Sequence, residues 1–191
     1  MRPIMFFVLL FAIAWQNAIA AGGDGWRKNN LLPQYCKDRA KGNQSPEWNK
    51  WRKTFGEASI HMHHYCSGLD AEQKAKSTLN QRERVYWLGR VVHQMSYVSG
   101  SCNTGHVLYP ELHTRWGWAL NEQGQIAEAV QHYQLALKAK RNYTLAYIRL
   151  SELYIKANQP DEARKVLESG LQAKPNSSAL KKRLKKLESS E

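Results

Sequence analysis

Residues 110–143, PELHTRWGWALNEQGQIAEAVQHYQLALKAKRNY, can be set in register with residues 144–177, TLAYIRLSELYIKANQPDEARKVLESGLQAKPNS. Each stretch is 34 residues long, and aligned positions carry residues of the same kind, such as Ala129 and Ala163. A fixed period in this range is typical of stacked units that bury their apolar faces only against their neighbours. The register therefore predicts two successive helical hairpins.

This pattern resembles the tetratricopeptide repeat. Small residues such as Gly117 and Ala129 stand where the two helices of a repeat would cross, and Pro175 would stop the last helix of the second repeat. Arg141 stands where the first repeat would usually carry proline. The resemblance implies an all-α fold in which antiparallel helix pairs stack as a short solenoid. The two repeats would occupy residues 106–177, with units at 110–143 and 144–177.

In such repeats the first helices line a concave groove that binds a partner protein or a peptide. Carried over to this sequence, the groove positions are Glu111, Thr114, Trp118, Asn121, Glu122, Leu145, Ile148, Glu152, Ile155 and Lys156. These positions mix apolar and acidic side chains, which suits an amphipathic helix or an extended segment of a partner. The basic set that would clamp a terminal carboxylate is absent from them. In the alternative arrangement, Trp118, Leu145 and Ile148 pack against the preceding helices and leave no free groove.

The C-terminal segment 178–191 predicts a helix that caps the solenoid. Leu180, Leu184 and Leu187 recur at helical spacing in an otherwise charged stretch, which gives one narrow apolar stripe. The alternative is contact with an anionic membrane surface through the basic residues Lys181, Lys182, Arg183, Lys185 and Lys186.

Residues 45–105 predict a degenerate helical pair that supplies the missing neighbour of the repeats. Ser45 followed by Pro46 is a typical helix start. Gly56 is expected to interrupt this first helix, which resumes as far as Gly68, and Asp70 is expected to cap the second helix. The apolar positions expected to form the buried face of that second helix are Ala75, Leu79, Val85, Leu88, Val92 and Met95.

The chain begins with a basic residue and a short apolar run that ends in Ala18-Ile19-Ala20. This pattern predicts a secretory signal peptide over residues 1–20, with an uncleaved anchor as the alternative. We therefore expect a periplasmic or secreted protein, in which residues 21–44 form a loop-rich start. The net charge of +12 favours acidic proteins or anionic lipid as neighbours, and no nucleic-acid-binding motif is present.

Three cysteines, Cys36, Cys66 and Cys102, are present. In an oxidising compartment cysteines tend to pair, and Cys36 with Cys66 is the expected bridge because it would tie the loop-rich start to a helix. Cys102 could be free, could bridge another chain, or could compete for that disulfide.

The stretch His61-Met62-His63-His64-Tyr65-Cys66 has two interpretations. On a continuous helix, His61 and His64 point to nearly the opposite side from His63 and Cys66, so the four side chains cannot hold one ion together. Packing beside a disulfide is the first interpretation. The alternative is a protein that handles copper, zinc or haem through His61, His63 and His64.

A second resemblance covers most of the chain. The stretches LLPQYC (31–36), HMHHYCSGL (61–69) and YPELHT (109–114) resemble an uncharacterised family of exported bacterial tetratricopeptide repeat proteins, which implies no particular activity. Because the sequence carries no nucleophile elbow, phosphate-binding glycine loop or paired-carboxylate site, it predicts an adaptor and no enzyme or cofactor.

Overall fold

Residues 25–189 are described in a computed structural model of the chain, and the signal peptide predicted for residues 1–20 lies outside them. Within residues 25–189 the secondary structure is entirely helical, which confirms the predicted fold class. The α-helices run over α1 Gln34–Ala40, α2 Pro46–Phe55, α3 Met62–Ser77, α4 Gln81–Ser99, α5 Tyr109–Glu122, α6 Ile126–Ala139, α7 Thr144–Lys156, α8 Pro160–Ala173 and α9 Ser178–Glu188. Two short 3-10 helices cover Gly25–Lys28 and Gly56–His61.

The C-terminal helices follow the period seen in the sequence. Helix α6 begins at Ile126 and α8 begins at Pro160, one period of 34 residues apart. Each hairpin packs against the next, and the first helices also contact one another, α5 with α7 and α7 with α9. This arrangement is a short solenoid of helix pairs.

Close approach of α5 and α6 depends on a missing side chain. A Cβ atom added to Gly117 would lie 2.9 Å from a ring carbon of Tyr133 and 3.0 Å from the carbonyl oxygen of Ala129. Ala129 and Tyr133 are themselves fully buried. The small residues that define the repeat therefore set the distance between its two helices.

The apolar core is layered along the solenoid. One cluster joins the helices from α1 to α5, and a second joins α5, α6 and α7 through residues such as Tyr133 and Leu153. A third joins α7, α8 and α9, where Leu180 and Leu187 are buried. The C-terminal helix thus closes the last layer, as its leucine stripe predicted.

The helical pair before the repeats differs from the prediction at its turn. Asp70 does not cap a helix: it lies inside α3, is buried, and accepts a hydrogen bond of 2.7 Å from the Asn29 side chain. The second helix, α4, begins at Gln81, where the side chain of Asn80 accepts from two backbone N–H groups. The predicted buried face is also wrong at Leu79, which is fully exposed in the turn, and at Val85, which is 54% exposed.

Residues 25–61, which we name the collar, pack on α3 and cover the end of the solenoid that precedes the repeats. The segment expected to be loop-rich contains α1, and the predicted disulfide between Cys36 and Cys66 is confirmed, with a Cα–Cα distance of 5.6 Å. Gly56 ends α2 with a φ of 51°, a conformation that favours glycine. The ring of Tyr35 lies against a group of aromatic side chains, namely Trp51, Phe55 and Tyr65.

Buried charges connect the helical pair α3 and α4 to the first repeat. Arg115 on α5 donates to the carboxylate of Glu72 on α3 at 2.5 Å and to that of Glu111 at 2.7 Å. Burial raises the pKa of Glu72, but Arg115 and Lys76 more than offset this and hold the pKa below its usual value. The carboxylate is therefore ionised at neutral pH, which keeps α3 and α5 in register.

The helices of residues 25–189 include none with the length and apolar character to cross a bilayer.

Candidate functional site

The predicted groove is largely filled at the first repeat. Thr114 is buried and its hydroxyl donates to the Pro110 carbonyl oxygen at 2.7 Å. Trp118 is 6% exposed, and the Lys76 ammonium lies 4.6 Å above its ring. Helices α3 and α4 therefore cover the surface that the first repeat was expected to offer to a partner.

The acidic groove residues of the first repeat are occupied by ion pairs within the protein. Glu111 is held by Arg115, and Glu122 pairs with both Arg84 of α4 and Lys156 of α7. The side chain of Glu122 is 13% exposed, so little of it is left for a ligand. Asn121 is half-buried.

In the second repeat, some of the predicted groove residues are buried and others are accessible. Ile148 is 7% exposed and belongs to the core, and Leu145 is half-buried. Glu152 is half-buried, and Ile155 is 48% exposed. The structure thus corrects the predicted accessibility of Thr114, Trp118 and Ile148, and it leaves Glu152 and Ile155 on an accessible surface.

That accessible surface is a cleft between α7 and α9, which we name the α7–α9 cleft. Its volume is about 410 Å³, and its lining residues are Ser151, Glu152, Ile155, Lys182, Arg183, Lys186 and Leu187. Leu187 is buried and supplies an apolar floor, while Ile155 supplies an apolar rim. Lys182 and Lys186 are exposed and form a basic wall.

The charge of the cleft is positive because its acidic residue is already neutralised. The Glu152 carboxylate accepts from Arg149 at 3.0 Å and from Arg183 at 3.4 Å. Ser151 is buried, and its hydroxyl donates to the backbone carbonyl oxygen of Ile148. Lys182 and Lys186 therefore determine the potential that a ligand meets.

The basic wall could have been found from the repeat period. Lys182 lies 34 residues after Ile148, and Lys186 lies 34 residues after Glu152. Helix α9 thus occupies the position of the first helix of a third repeat, and its lysines fall on groove positions. The leucine spacing of α9 indicates a capping helix, but it does not indicate that the lysines follow the repeat period.

The histidine-rich stretch lies at the junction of the collar with α3 and α4. His61 ends the 3-10 helix Gly56–His61, and α3 begins at the next residue. His63 Nδ1 lies 3.0 Å from the Ile60 carbonyl oxygen, and His64 Nδ1 lies 2.7 Å from Gln94 Oε1. Both ring nitrogens face acceptors, so Nδ1–H of each histidine donates.

This geometry does not assemble the metal site considered for His61, His63 and His64. Cys66 is bonded to Cys36 in the disulfide and therefore cannot act as a thiolate ligand. The rings of His63 and His64 are tilted to each other with centroids 4.2 Å apart. Among residues 25–189 no three histidine, cysteine or acidic side chains are grouped so as to hold an ion.

Cys102 is the third cysteine of the chain and is buried. It is a free thiol, 5% exposed, in the segment between α4 and α5. Burial raises the pKa of this thiol to about 11, so the nucleophilic thiolate is scarce at neutral pH.

Comparison with known proteins identifies the C-terminal part. Residues 120–187 match the sequence model of the tetratricopeptide repeat family. No curated protein sequence matches the chain. A solved structure, the first TPR of Spaghetti (RPAP3) bound to HSP90 peptide SRMEEVD, is similar, with 21% identity and a TM-score of 0.47 over 64% of this chain and 94% of that one.

The matched region begins near the end of α5 and ends in α9, so it includes the whole α7–α9 cleft. The helical hairpins, their 34-residue period and the family match agree with one another. The C-terminal part of this chain is therefore similar to tetratricopeptide repeats in its sequence and in its stacked helix pairs.

Proposed function

We propose that the protein is an exported adaptor without catalytic activity, which binds an acidic segment of a partner protein in the α7–α9 cleft. The observation that carries this proposal is the combination of an apolar floor with a basic wall on an accessible surface. Leu187 and Ile155 offer apolar contacts, and Lys182 and Lys186 stand beside them. A partner segment that places an apolar side chain next to carboxylates would contact both the apolar residues and the lysines.

The electrostatics support an acidic partner. Since Glu152 is paired with Arg149 and Arg183, a bound carboxylate would not face an uncompensated negative charge. Charge complementarity of this kind increases the association rate and selects against basic partners. The sequence-based expectation of an apolar and partly acidic groove is thereby revised.

Membrane contact through α9 is less well supported than binding of a partner. Leu180 and Leu187 are buried against the repeats, so the apolar stripe that an interfacial helix would insert is already occupied. The exposed lysines Lys182 and Lys186 of α9 line the cleft.

Export remains a proposal that rests on the sequence of residues 1–20. The disulfide between Cys36 and Cys66 supports it, because such bonds persist in oxidising compartments. Membership in the exported bacterial family also remains a proposal. Its LLPQYC and HMHHYC motifs supply the two bridged cysteines, and their tyrosines, Tyr35 and Tyr65, are in contact.

The test compares charge reversals on the same helix. Lys182→Glu with Lys186→Glu reverses the wall of the cleft, whereas Lys181→Glu with Lys185→Glu changes the same charge at exposed positions that do not line it. We expect the wild type and the Lys181/Lys185 variant to capture the same partner from cell-envelope extract. Loss of that partner from the Lys182/Lys186 variant alone would support the cleft, and equal capture by both variants would refute it.

A further inference from the structure

A second accessible surface lies at the collar, at the end of the molecule opposite α9. Two shallow depressions of about 270 Å³ and 570 Å³ share Arg52, Ser59 and Ile60 in their lining. Ile60 lines both and is 63% exposed. The larger depression is also lined by His61, Glu57, Gly56, Gly100 and Ser101.

Histidine and tyrosine side chains continue this surface. The ring of Tyr97, which is 49% exposed, lies 5.3 Å from that of His61 and 4.0 Å from that of His64. His93 is exposed one turn before Tyr97 on α4. An aromatic and imidazole strip therefore leads away from the exposed isoleucine.

The groups around these imidazoles are predominantly cationic. The charged and titratable side chains that act on them or line the same surface are Arg39 from α1, Arg52 from α2, Glu57 from the 3-10 helix, and Arg90, His93 and Tyr97 from α4. Among the described residues that line the two depressions, Glu57 is the one carboxylate. Protonation of the histidines would therefore produce a dense positive surface.

Two of the histidines, His63 and His64, have lowered pKa values. Burial and the neighbouring positive and histidine side chains lower the pKa of His63, and burial is the main cause of the lowered pKa of His64. Because a lowered pKa moves protonation to a more acidic pH than usual for histidine, acidification adds positive charge to this end of the molecule.

We propose that this surface, named the histidine face and defined by Arg52, Ile60, His61, His64 and Tyr97, docks on an anionic phospholipid bilayer and does so more tightly in acid. Arginine, serine and protonated imidazole are suitable partners for lipid phosphate groups. Tyrosine is enriched at membrane interfaces, and Ile60 can enter the boundary between headgroups and acyl chains.

A bilayer fits this surface better than a polypeptide does. The two depressions adjoin and share the exposed Ile60, so together they form a broad surface that carries one apolar side chain. A planar array of headgroups can cover both depressions and contact Ile60. The basic α9 helix lacks such a side chain because its Leu180 and Leu187 are buried.

The test is co-sedimentation of the full chain with vesicles. Phosphatidylcholine vesicles are compared with vesicles that also contain phosphatidylglycerol, at pH about 7.5 and about 5. Each positive charge near an anionic membrane strengthens binding about fivefold. We expect binding to the anionic vesicles to rise at least about tenfold on acidification and to fall with added salt. No binding in acid, or no rise on acidification, would overturn the proposal.

Variants assign the effect to a surface. His61→Gln with His64→Gln should remove the rise in acid, and Ile60→Ser should weaken binding at both pH values. Because His64 bonds to Gln94, Arg52→Gln at an exposed position serves as a second variant that leaves the hairpin intact and should also weaken binding. Retention of full binding by Arg52→Gln and Ile60→Ser would overturn the proposal.

The α9 helix supplies the matched control. Lys181→Gln with Lys185→Gln removes exposed charge at the other end and should leave the rise in acid unchanged. If this control loses binding while the histidine-face variants keep it, α9 is the membrane contact and the proposal fails. It also fails if soluble polyglutamate binds as tightly as the vesicles and Ile60→Ser does not weaken that binding, which would indicate an acidic protein.

Discussion

The collar and the repeats are stabilised in different ways. In the repeats, each helix contacts its neighbours in the chain, and a small set of crossing residues such as Gly117 recurs with the period. In the collar, a disulfide with a sequence separation of 30 residues and a group of aromatic side chains hold short helices to α3. A repeat array adds stability one interface at a time, whereas the collar depends on a few distant contacts. The collar can therefore be disrupted by one chemical change, and the repeats cannot.

The largest expected effect is loss of the disulfide. On the chain-entropy account, a bridge that closes a loop of this length stabilises the folded state by about 3–4 kcal/mol. Cys36→Ser with Cys66→Ser, or reduction of the wild type, should lower the free energy of unfolding by that amount in urea titrations. In hydrogen exchange, the amide signals of the repeat helices should stay protected to higher urea than those of α1 and α2.

Cys102→Ala is the control for this experiment, because Cys102 forms no bridge. It should change the free energy of unfolding by less than about 1.5 kcal/mol, since the loss is limited to a small side chain. Simultaneous loss of both signals in the doubly substituted chain would show that the collar and the repeats unfold as one unit.

A smaller effect is expected at the junction between the two regions. Glu72→Gln weakens the bond to Arg115 while Glu111 remains, and a hydrogen bond between charged groups contributes about 1.5–3 kcal/mol. The pKa of Glu72 is depressed in the folded state. Its contribution is therefore present above the unfolded-state pKa of 4.5 and is lost as the pH falls through the folded-state value.

Unfolding free energies measured between neutral and acidic pH test this contribution. The wild type should lose more stability on acidification than Glu72→Gln does. Glu162→Gln removes a carboxylate from a surface pair with Lys165 whose side chains are 47% and 67% exposed. That control should change little, since exposed pairs contribute little. Parallel pH curves for the wild type and Glu72→Gln would contradict the buried-network account.

Within the repeats, Gly117→Ala should destabilise by about 1–3 kcal/mol, because the added methyl group overpacks the helix crossing. The ring of Tyr133 and the Ala129 carbonyl cannot both withdraw easily. Gly89 is a matched control in the interior of α4, where the nearest atom to an added Cβ would lie 4.0 Å away. Gly89→Ala should stabilise by about 0.5–1 kcal/mol through helix propensity. Thermal unfolding of both variants distinguishes crowding from propensity.

The smallest expected effect concerns two histidines between α5 and α6. Nδ1 of His113 and Nδ1 of His132 lie 2.7 Å apart, and burial lowers the pKa of each from 6.5 to about 4, with His113 also lowering that of His132. The unfolded chain therefore binds these protons first, and stability falls as the pH drops from about 6.5 towards 4.

His132→Phe keeps a ring against Trp116 and removes one titrating group. Its stability should decline less between neutral pH and pH 5 than that of the wild type, by about 1 kcal/mol. His93→Gln, at an exposed position, should leave the wild-type decline unchanged. An equal decline in His132→Phe would exclude the histidine pair as a source of acid sensitivity.

The periodic part of the fold was predictable because each repeat carries its own pattern. The register of residues 110–177 predicted hairpins whose second helices begin one period apart, and the cysteine arithmetic predicted the bridge. The turn between α3 and α4 was not predictable in the same way. Asp70 followed by Gln73 has the form of a helix cap, but both side chains instead accept hydrogen bonds from Asn29 of the collar.

The candidate site shows the same limit. The spacing of groove positions predicted Glu152 and Ile155, which line the cleft. It left open whether Trp118 would pack against the preceding helices, and the structure places Lys76 over its ring. The spacing could not decide this, because that contact depends on how a degenerate pair packs. Local periodicity thus defines the solenoid, while the packing of its two ends decides which part of the groove is accessible.

Photo-crosslinking tests the central claim most directly. A photoreactive residue replaces Ile155 at the rim of the cleft or, as the control, Leu135 on α6, which is 36% exposed and does not line the cleft. The account predicts that one acidic partner segment crosslinks at position 155, that it does not crosslink at position 135, and that Lys182→Glu with Lys186→Glu abolishes the product. Equal labelling at both positions, or labelling at position 155 that persists in the reversed-charge variant, would contradict it.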